Sequence, residues 1–203
     1  PGCRRHRGCG GARARRGVGA LTDTGGARGW TALMTHRADG VERRLISRSE
    51  AETARLAEAL ARSLSQRRWA AAVIGLKGPL GAGKSVFARA FVRGFLGEPD
   101  AEVPSPTFTL VQTYPGPDGA PEARPELWHA DLYRLAAPDD IVELDLLEAF
   151  ANAVVLVEWP EQAGRYWPAE ALMISLRIGD DDDSRQLHLS GPASWTPVIE
   201  ALV

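Results

Sequence analysis

The chain has 203 residues, of which 44% are apolar and 25% charged. That supports one ordinary folded domain with a real core and excludes two full-sized domains. No apolar run approaches the ~20 residues that a membrane span needs. The formal net charge of −2 by itself points neither to a nucleic-acid binder nor to a membrane-surface protein. It averages a basic start with an acidic remainder. Residues 1–44 hold ten arginines against Asp23, Asp39 and Glu42, a balance of +7, and the other 159 residues balance at −9.

Residues 1–40 are rich in Gly and Arg and lack apolar periodicity. Such a segment cannot bury enough surface to offset its ordering entropy, so residues 1–44 are expected to form a disordered tail. No apolar h-region follows the basic start, and no serine precedes Ser47, which fits neither a secretory signal nor a transit peptide. The first methionine is Met34, a candidate start that would leave residues 1–33 outside the native protein. A Gly/Arg-rich RNA-binding arm is the functional alternative. Cys3, His6 and Cys9 do not complete a four-ligand zinc set. The remainder of the chain has no cysteine, which excludes a disulfide scaffold and a cysteine nucleophile and fits a reducing cytoplasm.

From residue 45 to 203 the pattern reads as one domain. Ser49 and Glu52 have capping-box spacing, and Leu56, Leu60 and Leu64 recur at i+4, predicting a helix over 49–65. The continuously apolar run 70–76 reads as a strand buried on both faces. A glycine-punctuated turn over 78–85 leads into a helix over 86–96 with Phe87, Phe91 and Phe95 on one face. After a Pro104–Pro106 break, residues 107–114 alternate as a strand, and the Pro-rich stretch 115–125 reads as a loop. Strands over 127–131 and 153–157 flank a helix over 139–152, whose first turn is acidic. Residues 172–178 and 185–190 read as a hairpin, and a short helix near 197–203 closes the chain. Strands alternating with helices predict a P-loop NTPase-like three-layer α/β fold: a mostly parallel sheet with a C-terminal antiparallel hairpin.

The octapeptide Gly78-Pro-Leu-Gly-Ala-Gly-Lys-Ser85 matches G-x-x-x-x-G-K-[ST] in full, with an apolar strand before it and a helix after it. Its glycines let successive N–H groups face one phosphate, and the helix start adds positive potential. Lys84 would reach the β and γ phosphates, and the Ser85 hydroxyl would ligate Mg²⁺. The chain has only two lysines, Lys77 and Lys84, against 22 arginines, so a lysine at this position stands out from the composition. A second carboxylate is needed at a neighbouring strand end: Glu158 is the first candidate and Asp131 the other. Thr107 and Thr109 follow the Ser105-Pro106 break, where a switch loop could carry a hydroxyl to the γ phosphate. His129 shares a sheet face with Asp131 and reads as a structural hydrogen-bonder. The single asparagine, Asn152, is followed by Ala153, so no Asn-Lys-x-Asp guanine reader exists and ATP is favoured.

Four motifs in order, Gly78–Ser85, Ser105–Val111, His129–Leu135 and Leu156–Pro160, resemble the bacterial tRNA threonylcarbamoyladenosine (t6A) biosynthesis ATPase family TsaE, over about residues 46–190. The resemblance implies an ATP- and Mg²⁺-dependent cytoplasmic ATPase, weak alone. It would act with the threonylcarbamoyl transferase (TsaD) and its inactive paralogue (TsaB), and with tRNA through that complex, without itself being the transferase. The product would be N6-threonylcarbamoyladenosine at position 37 of tRNAs reading ANN codons. The nucleotide would lie along Gly78, Pro79, Leu80, Gly81, Ala82, Gly83, Lys84, Ser85 and Val86, with Trp159 beside it. Ser85 and Glu158 would hold Mg²⁺, with Lys84, Asp131 and Thr107 catalytic and Ser105–Val111 acting as a switch. Thr53 would approach the adenine side and Arg185 the nucleotide. Pro79 departs from the family, where an acidic residue is common. The competing readings are a small-molecule or nucleoside P-loop kinase, for which no clear arginine-rich lid is seen although Arg165 and Arg177 keep it open, and an RNA-binding module, which the acidic domain disfavours.

Overall fold

The computed structural model describes residues 21–24, 31–37, 40–67, 69–116 and 125–202, the first two segments by backbone alone. They build one nine-stranded sheet in the order β1-β2-β3-β9-β8-β4-β7-β6-β5. Its strands are β1 (Leu21–Thr24), β2 (Thr31–Arg37), β3 (Gly40–Ser47), β4 (Ala72–Lys77), β5 (Val111–Tyr114), β6 (Leu127–Asp131), β7 (Val154–Glu158), β8 (Leu172–Ile178) and β9 (Arg185–Pro192). The centre, β8-β4-β7-β6, is parallel; β5 and the β9-β3-β2-β1 wing pair antiparallel. β4 and β7 are buried along nearly their whole length, which is why they carry continuous apolar runs rather than alternation.

Helices α1 (Glu50–Arg67) and α2 (Lys84–Leu96) cover one face with α4 (Thr196–Glu200). Leu56, Leu60 and Leu64 of α1 and Phe87, Phe91 and Phe95 of α2 pack there against Ile74, Leu76 and Leu156. The helices approach closely because Gly94 has no side chain: a Cβ there would lie 2.8 Å from Glu58 Cα. On the opposite face, α3 (Leu146–Asn152) and the 3₁₀ segments Pro138–Ile141 and Pro160–Tyr166 cover Val73, Val155 and Val157. Three layers result. Among the described residues, no helix is long and apolar enough to cross a membrane.

At α1 the Glu52 N–H donates to Ser49 Oγ at 3.2 Å, while the Glu52 carboxylate accepts from the backbone N–H of Arg48 at 2.7 Å. The expected helix over 139–152 is two pieces. Asp145 adopts a left-handed φ of 55° and interrupts it, so only its second half is α-helical. The strand expected over 107–114 begins at Val111. Residues 106–110 form a turn instead, closed by Leu110 N–H to Pro106 O and set by a φ of 63° at Leu110.

The boundary expected at residue 44 falls inside β3. Val41, Arg43, Leu45 and Ser47 turn inward there, and the strand pairs in full with β9 from Gly40↔Pro192 to Ser47↔Arg185. Arg43 is 2% exposed and donates from Nη1 to Ile199 O at 2.7 Å. Met34 lies within β2, paired with Arg43 of β3. Cys3, His6, Cys9 and most of the Pro-rich 115–125 loop lie outside the described residues.

Candidate functional site

The strand ends of β4, β6 and β7 meet at one place because the sheet is parallel there. Register puts Leu76, Glu158 and Asp131 side by side, so the turn leaving β4 faces two carboxylates from its neighbours. This crevice beyond the C-terminal ends of parallel strands is where open α/β sheets bind ligands.

The turn itself is the glycine-rich octapeptide. Gly78, Gly81 and Gly83 have φ of 152°, 76° and 97°, which other residues adopt at a cost. At Gly78 space forbids a side chain as well, since a Cβ would meet Leu176 O at 2.3 Å. Ala82 is fully buried and anchors the loop, whereas Leu80 at its tip is 69% exposed. α2 starts at Lys84 with Gly83 as its N-cap and no side-chain cap, leaving its first N–H groups toward the crevice. Lys84 is nearly buried. Its ammonium donates to Gly78 O at 2.8 Å and Pro79 O at 2.9 Å, and lies 3.8 Å from the Trp159 ring centroid. Burial lowers its pKa from the ordinary lysine value, against the opposing pull of Glu158, Glu161 and Asp131.

Ser85 Oγ donates to Glu158 Oε2 at 3.1 Å. The other carboxylate oxygen, Oε1, faces His129 Nε2 at 3.1 Å, and both residues are almost wholly buried. Asp131 takes the Thr107 hydroxyl on Oδ2 at 3.1 Å and the Tyr133 N–H on Oδ1 at 3.0 Å. Ser105 Oγ lies 2.7 Å from Thr107 Oγ1. The structure thus brings Lys84, Ser85, Glu158, Asp131 and Thr107 together, and ties the Ser105–Val111 segment to the crevice through one hydroxyl–carboxylate contact. Thr109 makes no such contact among those described; Phe108 beside it is 83% exposed, with the Arg134 guanidinium 4.5 Å above its ring.

The flanking assignments divide into two sides. Thr53 and Arg185 line one small cavity of about 80 Å³ with Gly83 and Val86. Thr53 is 1% exposed and hydrogen-bonded to Ser47 Oγ at 2.6 Å, so its hydroxyl is already engaged. Arg185 extends over the loop and donates to Asp182 O and Ser184 O, with Gly81 O at 3.5 Å. Across the loop, Trp159 lines a cavity of about 310 Å³ with Gly78, Pro79 and Glu161. Its φ of 60° is left-handed, and its ring packs 5.0 Å from that of Tyr133. Tyr133 and Glu161 were not anticipated from the sequence. Tyr133 lies inside the His129–Leu135 motif, two residues after Asp131, and Glu161 one residue past the Leu156–Pro160 motif, and neither drew a role of its own.

The oxygen donors Ser85 Oγ and Glu158 Oε2 suit Mg²⁺, which takes one or two protein oxygens and leaves the remainder to phosphate and water. Among the described residues no group of three or more His, Cys, Asp or Glu forms an all-protein cage.

A family model described as "Threonylcarbamoyl adenosine biosynthesis protein TsaE" matches residues 47–187. The chain is 37% identical over 137 residues to the tRNA threonylcarbamoyladenosine biosynthesis protein TsaE of Rickettsia bellii, covering 68% of this chain and 88% of that one. It is 35% identical over 136 residues to the Treponema pallidum protein of the same name, covering 66% and 91%. The crystal structure of Bacillus subtilus YdiB superposes with a TM-score of 0.59 at 25% identity, covering 82% of this chain and 96% of that one. The matched span contains the glycine-rich loop, the 105–111 segment and both strand-end carboxylates, and the chain belongs to the TsaE family.

Proposed function

We propose that this protein is an ATP-binding and ATP-hydrolysing accessory subunit of the cytoplasmic machinery that makes N6-threonylcarbamoyladenosine at position 37 of tRNAs reading ANN codons. The observation that carries the reading is the pairing of Ser85, in the first turn of α2, with Glu158 at the end of β7, directly beside a full P-loop and the Asp131–Thr107 contact. The backbone N–H groups of 81–85 and the Lys84 ammonium bind phosphates, and Lys84 exchanges its two carbonyl partners for them. Ser85 and Glu158 hold Mg²⁺, which neutralises charge on the phosphates. Asp131 accepts a hydrogen bond from the attacking water, and Thr107, released from Asp131, lets the 105–111 segment follow the γ phosphate. Trp159 lies against the phosphate chain, and the Thr53–Arg185 cavity receives the base.

The partners are the threonylcarbamoyl transferase (TsaD), its inactive paralogue (TsaB) and, through them, tRNA. The kinase alternative lacks a clear arginine-rich lid, and Arg165, one of its two candidates, is bound to Asp139 and Tyr166. ATP turnover of the full chain, alone and with the two partners and tRNA, tests the proposal. Stimulation by the partners is expected. Turnover indifferent to them but switched on by a small phosphate acceptor would overturn it in favour of a kinase.

A further inference from the structure

We infer that His129 is the positioning residue that fixes which oxygen of Glu158 is presented to Ser85 and the cation. The inference rests on the reading of Glu158 as a Mg²⁺ ligand given above.

His129 sits on β6, on the sheet face that α1 and α2 cover, and only 1% of its side chain is accessible. Nε2 lies 3.1 Å from Glu158 Oε1, while Nδ1 is buried with no hydrogen-bond partner. Those two facts select the tautomer. A proton on Nδ1 would leave a buried donor unsatisfied and set the Nε2 lone pair against a carboxylate oxygen. A proton on Nε2 gives a charge-assisted hydrogen bond and leaves only an unused acceptor at Nδ1. Nε2 therefore carries a proton and donates it to Oε1.

The consequence is directional. With Oε1 held by Nε2–H, the carboxylate plane is set, and Oε2 alone faces the Ser85 hydroxyl at 3.1 Å. Without the ring, Oε1 would be a buried charged oxygen lacking a partner, and Glu158 would turn toward other donors, Lys84 foremost among them. Partners behind a metal-binding carboxylate tune affinity in this way.

Two substitutions separate this role from simple packing. In His129→Gln the side-chain amide reaches the place of Nε2 and can donate to Oε1; in His129→Asn it stops near Nδ1 and cannot. ADP affinity of the full chain is measured by calorimetry, in Mg²⁺ and in EDTA. The expected result for His129→Asn is a loss of about 10-fold in the Mg²⁺-dependent gain in affinity, with affinity in EDTA unchanged and His129→Gln retaining the gain. Equal gains in both variants, or an equal loss in EDTA, would overturn the inference. A wild-type chain whose ADP affinity does not respond to Mg²⁺ would instead overturn the ligand reading of Glu158. Nitrogen-15 NMR of wild-type histidines decides the matter should the variants not fold: His129 carrying its proton on Nδ1 would refute the positioning role.

Discussion

Lys84→Met removes the ammonium while keeping an apolar stem against Trp159. The ammonium makes two hydrogen bonds, at 2.8 and 2.9 Å, and one ring contact at 3.8 Å. Hydrogen bonds of this kind contribute a net ~0.5–1.5 kcal/mol each, and a cation–ring contact about 0.5–2 kcal/mol. Against them stands desolvation of the charge, the dominant cause of the lowered Lys84 pKa. The freed carbonyls belong to a half-buried Gly78 and an exposed Pro79, so both can turn to water. The terms nearly cancel, leaving a stability change within about 1 kcal/mol, or roughly 2–4 °C in Tm. Binding is different. A lysine on phosphate makes charge-assisted hydrogen bonds of about 1.5–3 kcal/mol, and losing one or two weakens ATP binding ~10²–10³-fold. Paired thermal melts and ATP titrations read both quantities. Wild-type ATP affinity in the variant, with a normal melt, would refute the phosphate role of Lys84. The pH dependence adds a sign. Because the folded-state pKa lies below that of the unfolded chain, the unfolded state holds more protons in the window between them. This group's contribution to stability therefore rises with pH there, while ATP affinity falls, and Lys84→Met abolishes both slopes.

Gly78→Ala places a Cβ 2.3 Å from Leu176 O at a φ of 152°. The backbone conformation alone costs about 1–3 kcal/mol, so lowered urea midpoints accompany lost ATP binding, and an unchanged midpoint would contradict the close approach. Thr107→Ala breaks the 3.1 Å contact between the 105–111 segment and β6, and Asp131→Asn replaces its carboxylate acceptor by an uncharged amide. Both are expected to lower partner-stimulated ATP turnover by about 10-fold or more while leaving ADP affinity unchanged, measured by coupled turnover assays and calorimetry. Removal of residues 1–33 cuts into β2 but leaves β3 paired with β9 and the crevice intact. ATP turnover per molecule is expected to persist, and its loss in a folded truncation would give the N-terminal segment a role in function.

The strand–loop–helix unit was readable because each part has its own signature: apolar β4, three glycines, then the phenylalanine stripe of α2. The strand-end carboxylates were readable because β6 and β7 stop at Asp131 and Glu158, and parallel register then aligns them. β3 escaped notice for an equally definite reason. Its inward positions run Val41, Arg43, Leu45, Ser47, so a buried arginine and a serine break the alternation that would mark a strand. Nothing local announces that Ile199 O, far along the chain, will accept its hydrogen bond. The kink at Asp145 and the turn at Leu110 were hidden likewise, because neither residue is a glycine and positive φ there is imposed by tertiary context. Thr107 reads from the sequence as a switch residue on a strand, whereas the structure sets it in the 106–110 turn with its hydroxyl on Asp131.

The pairing of β3 with β9 bears on how the protein is born. Arg43 and its acceptor Ile199 are 156 residues apart, and β4 gains its neighbours β7 and β8 only from the second half of the chain. At about 5–20 residues per second of synthesis, the phosphate loop leaves the ribosome roughly 5–20 s before the last strand that frames its sheet. Nucleotide binding therefore cannot be acquired co-translationally by the N-terminal half. The nascent chain must wait, the β3 edge that takes β9 and the β4 edge that takes β8 still unpaired, until its C-terminal hairpin is released.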